Sequence, residues 1–128
     1  MIVGLGIDRI EIDRIARAAA RYGPRLARRV YTVAEWEYCQ SRPRPAQSLA
    51  ARFAAKEAAM KALGRGWPGG ISYHDIEVTR APSGAPSLRF SGNAALLADR
   101  RGVAHAAVSL THDRTHAAAT VILEGAEP

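Results

Sequence analysis

Apolar and polar positions alternate over residues 2–9, IVGLGIDR: Val3, Leu5 and Ile7 point one way, Gly4, Gly6 and Asp8 the other, the period of two that marks a strand. From about residue 10 the period lengthens. Ile12, Ile15, Ala16 and Ala19 recur at helical spacing until YGPR breaks the run, and a second short helix follows Pro24 to about residue 29. Thr32 and Glu35 have the spacing of a capping box, which predicts a third short helix over 32–39. SRPRPAQS (41–48) is a loop, and Ser48 is the candidate cap of a long helix over about 47–64 that Gly64 stops. GRGWPGG (64–70) reads as a loop free to wrap a ligand. SYHDIEVTR and APSLRF then predict a hairpin joined by APSG, a helix follows over about 92–101, and HAAVSLTHDRTHAAATVIL predicts a second hairpin turning at THDRT. Strands at both ends with helices grouped between them make the chain α+β, a single domain over 1–128.

The long helix raises a chemical question, because ARFAAKEAAMKALG (51–64) sets Lys56, Glu57 and Lys61 among alanines. On a helical wheel Ala51, Ala54, Ala55, Ala58 and Ala62 form one stripe, which lets another backbone come close, with Glu57 and Lys61 beside it. Lys56 points elsewhere, with Leu49, Arg52 and Met60. The plain reading is an i,i+4 surface pair, Glu57 with Lys61, worth about 0.3–0.5 kcal/mol. Asp8 has its own plain reading, a strand-end aspartate that begins a turn. Its same-face neighbours are glycines, however, so the space beside its carboxylate is expected to be empty of side chains and able to hold an ion or ligand. Two carboxylates from separate elements, with lysine and arginine around them, match what magnesium and a pyrophosphate need. Magnesium takes one or two protein carboxylates and fills its shell with water and phosphate oxygens.

Charge narrows the partners. Eighteen Lys and Arg against twelve Asp and Glu give +6, which favours an acidic partner. Arg14, Arg17 and Arg21 form a helical ridge continued by Arg25, Arg28 and Arg29, either a solvated face or the footprint of an anionic macromolecule. Aromatic residues are few and none interleaves with these arginines as a stacking platform, which counts against nucleic acid. Cys39 is the single cysteine, no apolar run approaches the roughly 20 residues of a membrane span, and MIVGLGIDRI lacks the zones of a signal peptide. A cytoplasmic protein that avoids the membrane is expected.

GID (6–8) followed by FAAKEAAMK (53–61) resembles the bipartite signature of the 4′-phosphopantetheinyl transferases. GLGIDRIEIDRI, ISYHDIEV and VSLTHDRTHAAATVI extend that resemblance over nearly the whole chain, to the short bacterial holo-acyl-carrier-protein synthase branch. Arg9, where such proteins usually carry an apolar residue, and Trp67-Pro68 in the glycine loop depart from the pattern. The resemblance implies an antiparallel sheet packed on a long central helix. It also implies transfer of the phosphopantetheine arm of coenzyme A to a serine of apo-acyl carrier protein, magnesium-dependent, releasing adenosine 3′,5′-bisphosphate, in fatty acid biosynthesis. Carried over residue by residue, Asp8 and Glu57 are the magnesium ligands and, with Lys61, the catalytic group. Arg52, Lys56, Lys61, Gly64, Ser109 and His112 line the coenzyme A site, and Arg14 and Arg21 dock the acidic carrier protein. The serine proton needs an acceptor, and Glu57 and a magnesium-bound water both stay open for that role.

The resemblance further implies a homotrimer with the active site between subunits. The closing hairpin, AAVSL and AAATVIL, is apolar on both faces over much of its length, as three hairpins closing around an axis would require. Cover of the second face by helices of the same chain is the alternative. In a trimer, Asp8 and Glu57 would come from one subunit, while Arg52 or the Ser109–His112 hairpin would complete the pocket of the next.

Overall fold

The computed structural model describes residues 1–64 and 70–127. The expected ligand-wrapping loop, with Trp67 and Pro68, therefore lies almost wholly outside the described residues. The chain runs β1 (Ile2–Glu11), α1 (Ile12–Tyr22), α2 (Pro24–Val30), α3 (Val33–Gln40), α4 (Pro45–Leu63), a 3₁₀ turn at Tyr73–Asp75, β2 (Ile76–Arg80), β3 (Pro86–Phe90), α5 (Gly92–Arg100), β4 (Val103–His112) and β5 (His116–Gly125). The α+β expectation holds, with two antiparallel sheets among the described residues: β1-β5-β4 and the separate hairpin β2-β3. Both chain ends meet in the larger sheet, where Gly4, Gly6 and Asp8 lie opposite Leu123, Val121 and Ala119.

Helix α4 crosses the inner face of that sheet, and its alanine stripe has the predicted use. A Cβ on Gly4 would stand 2.2 Å from the carbonyl oxygen of Ala62, and one on Gly6 would stand 1.9 Å from that of Ala58. The glycines thus admit a helix backbone. This corrects the expectation of empty space on the glycine face, which is filled by α4. The same face of β5 buries Ala117, Ala119, Val121 and Leu123. On the outer face of β1, Ile2, Leu5 and Ile7 remain 62%, 63% and 64% exposed.

Two further details refine the sequence reading. The predicted capping box is present, with Glu35 N donating to Thr32 Oγ1 and Thr32 N donating to Glu35 Oε1. Ser48 is not the cap of α4. That helix begins at Pro45 with Arg44 before it and no side-chain cap, because proline at the first turn presets the backbone and removes an N–H that would otherwise lack a partner. No described helix is long and apolar enough to cross a membrane.

Candidate active site

The end of β1 supplies Asp8, and one exposed edge of α4 supplies Glu57 and Lys61. Lys61 Nζ lies 3.0 Å from Asp8 Oδ1 and donates at 2.9 Å to the carbonyl oxygen of Ile7. Glu57 sits one turn before Lys61 on the same helix face, and its Oε1 accepts from the Tyr73 hydroxyl at 3.2 Å. The structure therefore brings Asp8 and Lys61 into contact, with Glu57 one helical turn before Lys61, the three residues that sequence reasoning made central. The donors fit magnesium: hard carboxylate oxygens from two elements, next to a lysine able to share a bound anion. Among the described residues no cluster of three or more His, Cys, Asp and Glu side chains forms, so the site offers two carboxylates rather than a transition-metal cage. His112 and His116 stand on opposite strands of the β4–β5 hairpin, not on one helix turn.

Lys56 is a correction. The structure does not bring it to a phosphate-facing surface; its side chain is wholly buried. Its Nζ lies 2.8 Å from Glu35 Oε1 and donates to the carbonyl oxygens of Tyr73 at 2.9 Å and Ile76 at 2.7 Å. With its donors committed inside the core, Lys56 is no candidate for contact with coenzyme A. Burial pushes its pKa below the usual lysine range, and the Glu35 carboxylate opposes that shift. Glu35 serves three elements at once, since its Oε2 also accepts from Val78 N at 2.7 Å.

Arg52 faces a different region, about 140° around the helix from Glu57. A cavity of about 520 Å³ lies there, lined among others by Tyr38, Arg42, Arg44, Arg52 and His112. Tyr38 anchors the cluster: the guanidinium carbons of Arg52, Arg80 and Arg42 lie 4.5, 4.7 and 5.6 Å from its ring centroid. Ser109 lines an adjoining cavity of about 250 Å³ shared with Tyr38, Arg52 and Arg80. Such a basic cleft suits a phosphorylated ligand. Sequence reasoning placed Arg52, Ser109 and His112 together but missed Tyr38, Arg42, Arg44 and Arg80. For Arg42 and Arg44 the available signal was SRPRPAQS, where two arginines alternate with two prolines that restrict the backbone. Asp8, Glu57 and Lys61 do not line this cleft, so within one chain the predicted site is in two parts.

Gly64 ends α4 at φ 91, a conformation that favours glycine, and Arg101 Nη1 donates to the Leu63 carbonyl beside it at 2.7 Å. The α1 arginines are exposed. Arg17 pairs with Asp13 at 3.4 Å one turn away, and Arg14 and Arg21 flank it along the ridge. Arg9 is exposed on β1, so its departure from the family pattern buries no charge.

Residues 4–121 match the profile of the 4′-phosphopantetheinyl transferase superfamily. This chain belongs to that superfamily. The holo-[acyl-carrier-protein] synthase of Koribacter versatilis is 50% identical over 124 residues, 97% of this chain and 99% of its own length. Two solved phosphopantetheinyl transferases agree in fold. The Neisseria meningitidis holo-[acyl-carrier-protein] synthase superposes with a TM-score of 0.86 at 30% identity, covering 97% of this chain and 99% of the other. The Bacillus anthracis holo-(acyl-carrier-protein) synthase, solved in complex with CoA (3′,5′-ADP), does so with a TM-score of 0.78 at 34% identity, covering 98% and 99%. The resemblance read from GID and FAAKEAAMK is thereby borne out, as are the expected α+β phosphopantetheinyl transferase fold and the transferase class.

Proposed function

We propose that this chain transfers 4′-phosphopantetheine from coenzyme A to a serine of apo-acyl carrier protein, as a magnesium-dependent cytoplasmic enzyme serving fatty acid biosynthesis. The observation that carries this reading is the contact between Asp8 and Lys61 across two elements, with Glu57 one helical turn away. The serine oxygen bonds to the pantetheine-side phosphorus of the pyrophosphate. The bridging P–O bond then breaks, and its electrons leave on adenosine 3′,5′-bisphosphate. Little covalent chemistry is asked of the protein, so the work is alignment and charge neutralisation. Asp8 and Glu57 would hold the magnesium, which supplies Lewis-acid neutralisation of pyrophosphate oxygens when bound. Lys61 adds a positive charge at the same point, and the Glu57 carboxylate is the base that this chain itself offers for the serine proton.

In this reading Arg52, Arg42, Arg44, Ser109 and His112 receive the phosphates at the other end of coenzyme A. Because those residues lie apart from Asp8 and Glu57 in one chain, the complete pocket joins two subunits of a homotrimer. Support comes from the exposed outer face of β1, where Leu5 and Ile7 offer apolar surface for a neighbour. Arg14 and Arg21 on α1 dock the acidic carrier protein.

Incubating the protein with coenzyme A, magnesium and apo-carrier protein should add roughly 340 Da to the carrier, the mass of the transferred arm. Asp8→Ala and Glu57→Ala should each slow that transfer by about 10²–10³ with unchanged circular dichroism. Near wild-type turnover in either variant at saturating magnesium would remove the metal assignment.

A further inference from the structure

Tyr73 reaches Glu57 from a segment that the sequence reading left outside the site. Its hydroxyl donates to Glu57 Oε1 at 3.2 Å, and its ring packs on Phe53 with centroids 5.5 Å apart. The main chain that carries it is held at two levels. Tyr73 opens a 3₁₀ turn in which Ser72 Oγ accepts from His74 N and Asp75 Oδ2 accepts from Ser72 N, each at 3.2 Å. Its carbonyl oxygen also accepts from Lys56 Nζ at 2.9 Å. Lys56 is in turn fixed by Glu35 at 2.8 Å and by the Ile76 carbonyl at 2.7 Å. Lys56 and Glu57 are consecutive residues of α4. One grips the main chain of Tyr73 in the core, and the other takes its hydroxyl at the rim.

We infer that Tyr73 is a positioning residue, whose hydroxyl holds the Glu57 carboxylate in the orientation that a divalent cation shared with Asp8 requires. This rests on the magnesium-dependent transferase reading above. Glutamate has three side-chain torsions, and a carboxylate ligand without a supporting donor samples orientations that do not bind. Losing such a supporting hydrogen bond typically costs about 10–100-fold in metal affinity or activity. Tyr73 acts here through Glu57 and needs no contact with substrate.

The test uses manganese as a paramagnetic probe of the divalent site, with free ion measured by electron paramagnetic resonance on the full chain. Tyr73→Phe keeps the ring on Phe53 and deletes only the hydroxyl. It should weaken manganese binding about tenfold and lower kcat while leaving KM for coenzyme A unchanged. If the effect runs through Glu57, Tyr73→Phe should add nothing to Glu57→Gln, a coupling that a purely structural hydroxyl would not produce. Wild-type manganese affinity in Tyr73→Phe, or an equal further loss in the Glu57→Gln background, would overturn the inference while wild-type transfer still stood. Failure of the wild-type protein both to bind manganese and to add mass to the carrier would overturn the transferase reading and this inference with it.

Discussion

Lys56 and Lys61 lie five residues apart on α4 and do different work. Lys61 keeps its side chain 35% exposed beside Asp8, whereas Lys56 is wholly buried against Glu35. A buried pair repays its desolvation only when every donor finds a partner, and Lys56 has Glu35 and two carbonyls. Lys56→Ala should therefore cost about 3–5 kcal/mol, because the Glu35 carboxylate would be left buried without its counter-charge. Urea denaturation measures this, and the same substitution at Lys61 should change stability by less than about 1 kcal/mol. Cys39 gives a second residue-scale prediction. Burial pushes its thiol up to about 11, with Arg52 opposing, and burial likewise holds the Tyr31 phenol above its usual range. Raised folded-state values mean stability that is complete below the unfolded pKa and lost as pH rises towards the folded one. Melting temperature should thus fall as pH climbs from 9 towards 11, and Cys39→Ala should flatten the first part of that decline.

At the scale of elements, α1 separates a packing face from an exposed basic one. Ile15 is buried against the rest of the fold, while Arg14, Arg17 and Arg21 occupy the opposite, exposed side. A ridge of this kind contributes little to stability, since exposed pairs such as Arg17 with Asp13 are worth at most about 1 kcal/mol. It is available for binding instead. Arg14→Glu or Arg21→Glu should raise KM for the carrier protein and leave KM for coenzyme A nearly unchanged. Salt should weaken docking in the same way, as the Debye length shrinks from about 10 Å at 0.1 M to about 3 Å at 1 M. Equal loss of affinity for both substrates in steady-state kinetics would count against a separate docking element.

At the scale of the whole molecule, the separation of the two halves of the proposed site is the dominant fact. Asp8, Glu57 and Lys61 lie at one edge of α4, and the Arg42, Arg44, Arg52 and His112 cleft lies at another. In the proposed trimer a second chain would bring the missing half to a coenzyme A bound at either one. On that proposal the exposed outer face of β1, with Leu5 and Ile7, would receive the neighbouring chain, and a threefold ring would repeat the contact until it closes. Light scattering should give three times the 13.7 kDa chain mass. Mixing an inactive Glu57→Ala variant with an inactive His112→Ala variant should restore part of the activity, because some interfaces then pair two intact halves. No recovery in verified mixed oligomers would mean that each pocket is built within one chain.

Local pattern was enough for much of this protein. The period-2 run of β1, the Thr32–Glu35 capping box, the closing hairpin and the alanine stripe of α4 each depend on neighbours within a few residues, and each formed where the pattern placed it. The strand expected over SYHDIEVTR, by contrast, begins only at Ile76, after a 3₁₀ turn at Tyr73–Asp75. The GID and FAAKEAAMK motifs likewise fixed the superfamily, while the pairing of Lys61 with Asp8, rather than with Glu57 on its own helix, came from the structure. Tertiary structure decided what lies opposite each residue. Gly4 and Gly6 looked like open space and proved to be the only way for the backbones of β1 and α4 to approach so closely. Lys56 and Lys61 were both expected at the coenzyme A phosphates, and Glu35, which arrives from another helix with the complementary charge, holds Lys56 in the core instead. Tyr73 and Tyr38 carried no local signal, because their partners, Glu57 and Arg52, lie 16 and 14 positions away in the chain. Periodicity records which face a side chain points from, whereas packing and charge pairing depend on what the rest of the fold sets against that face.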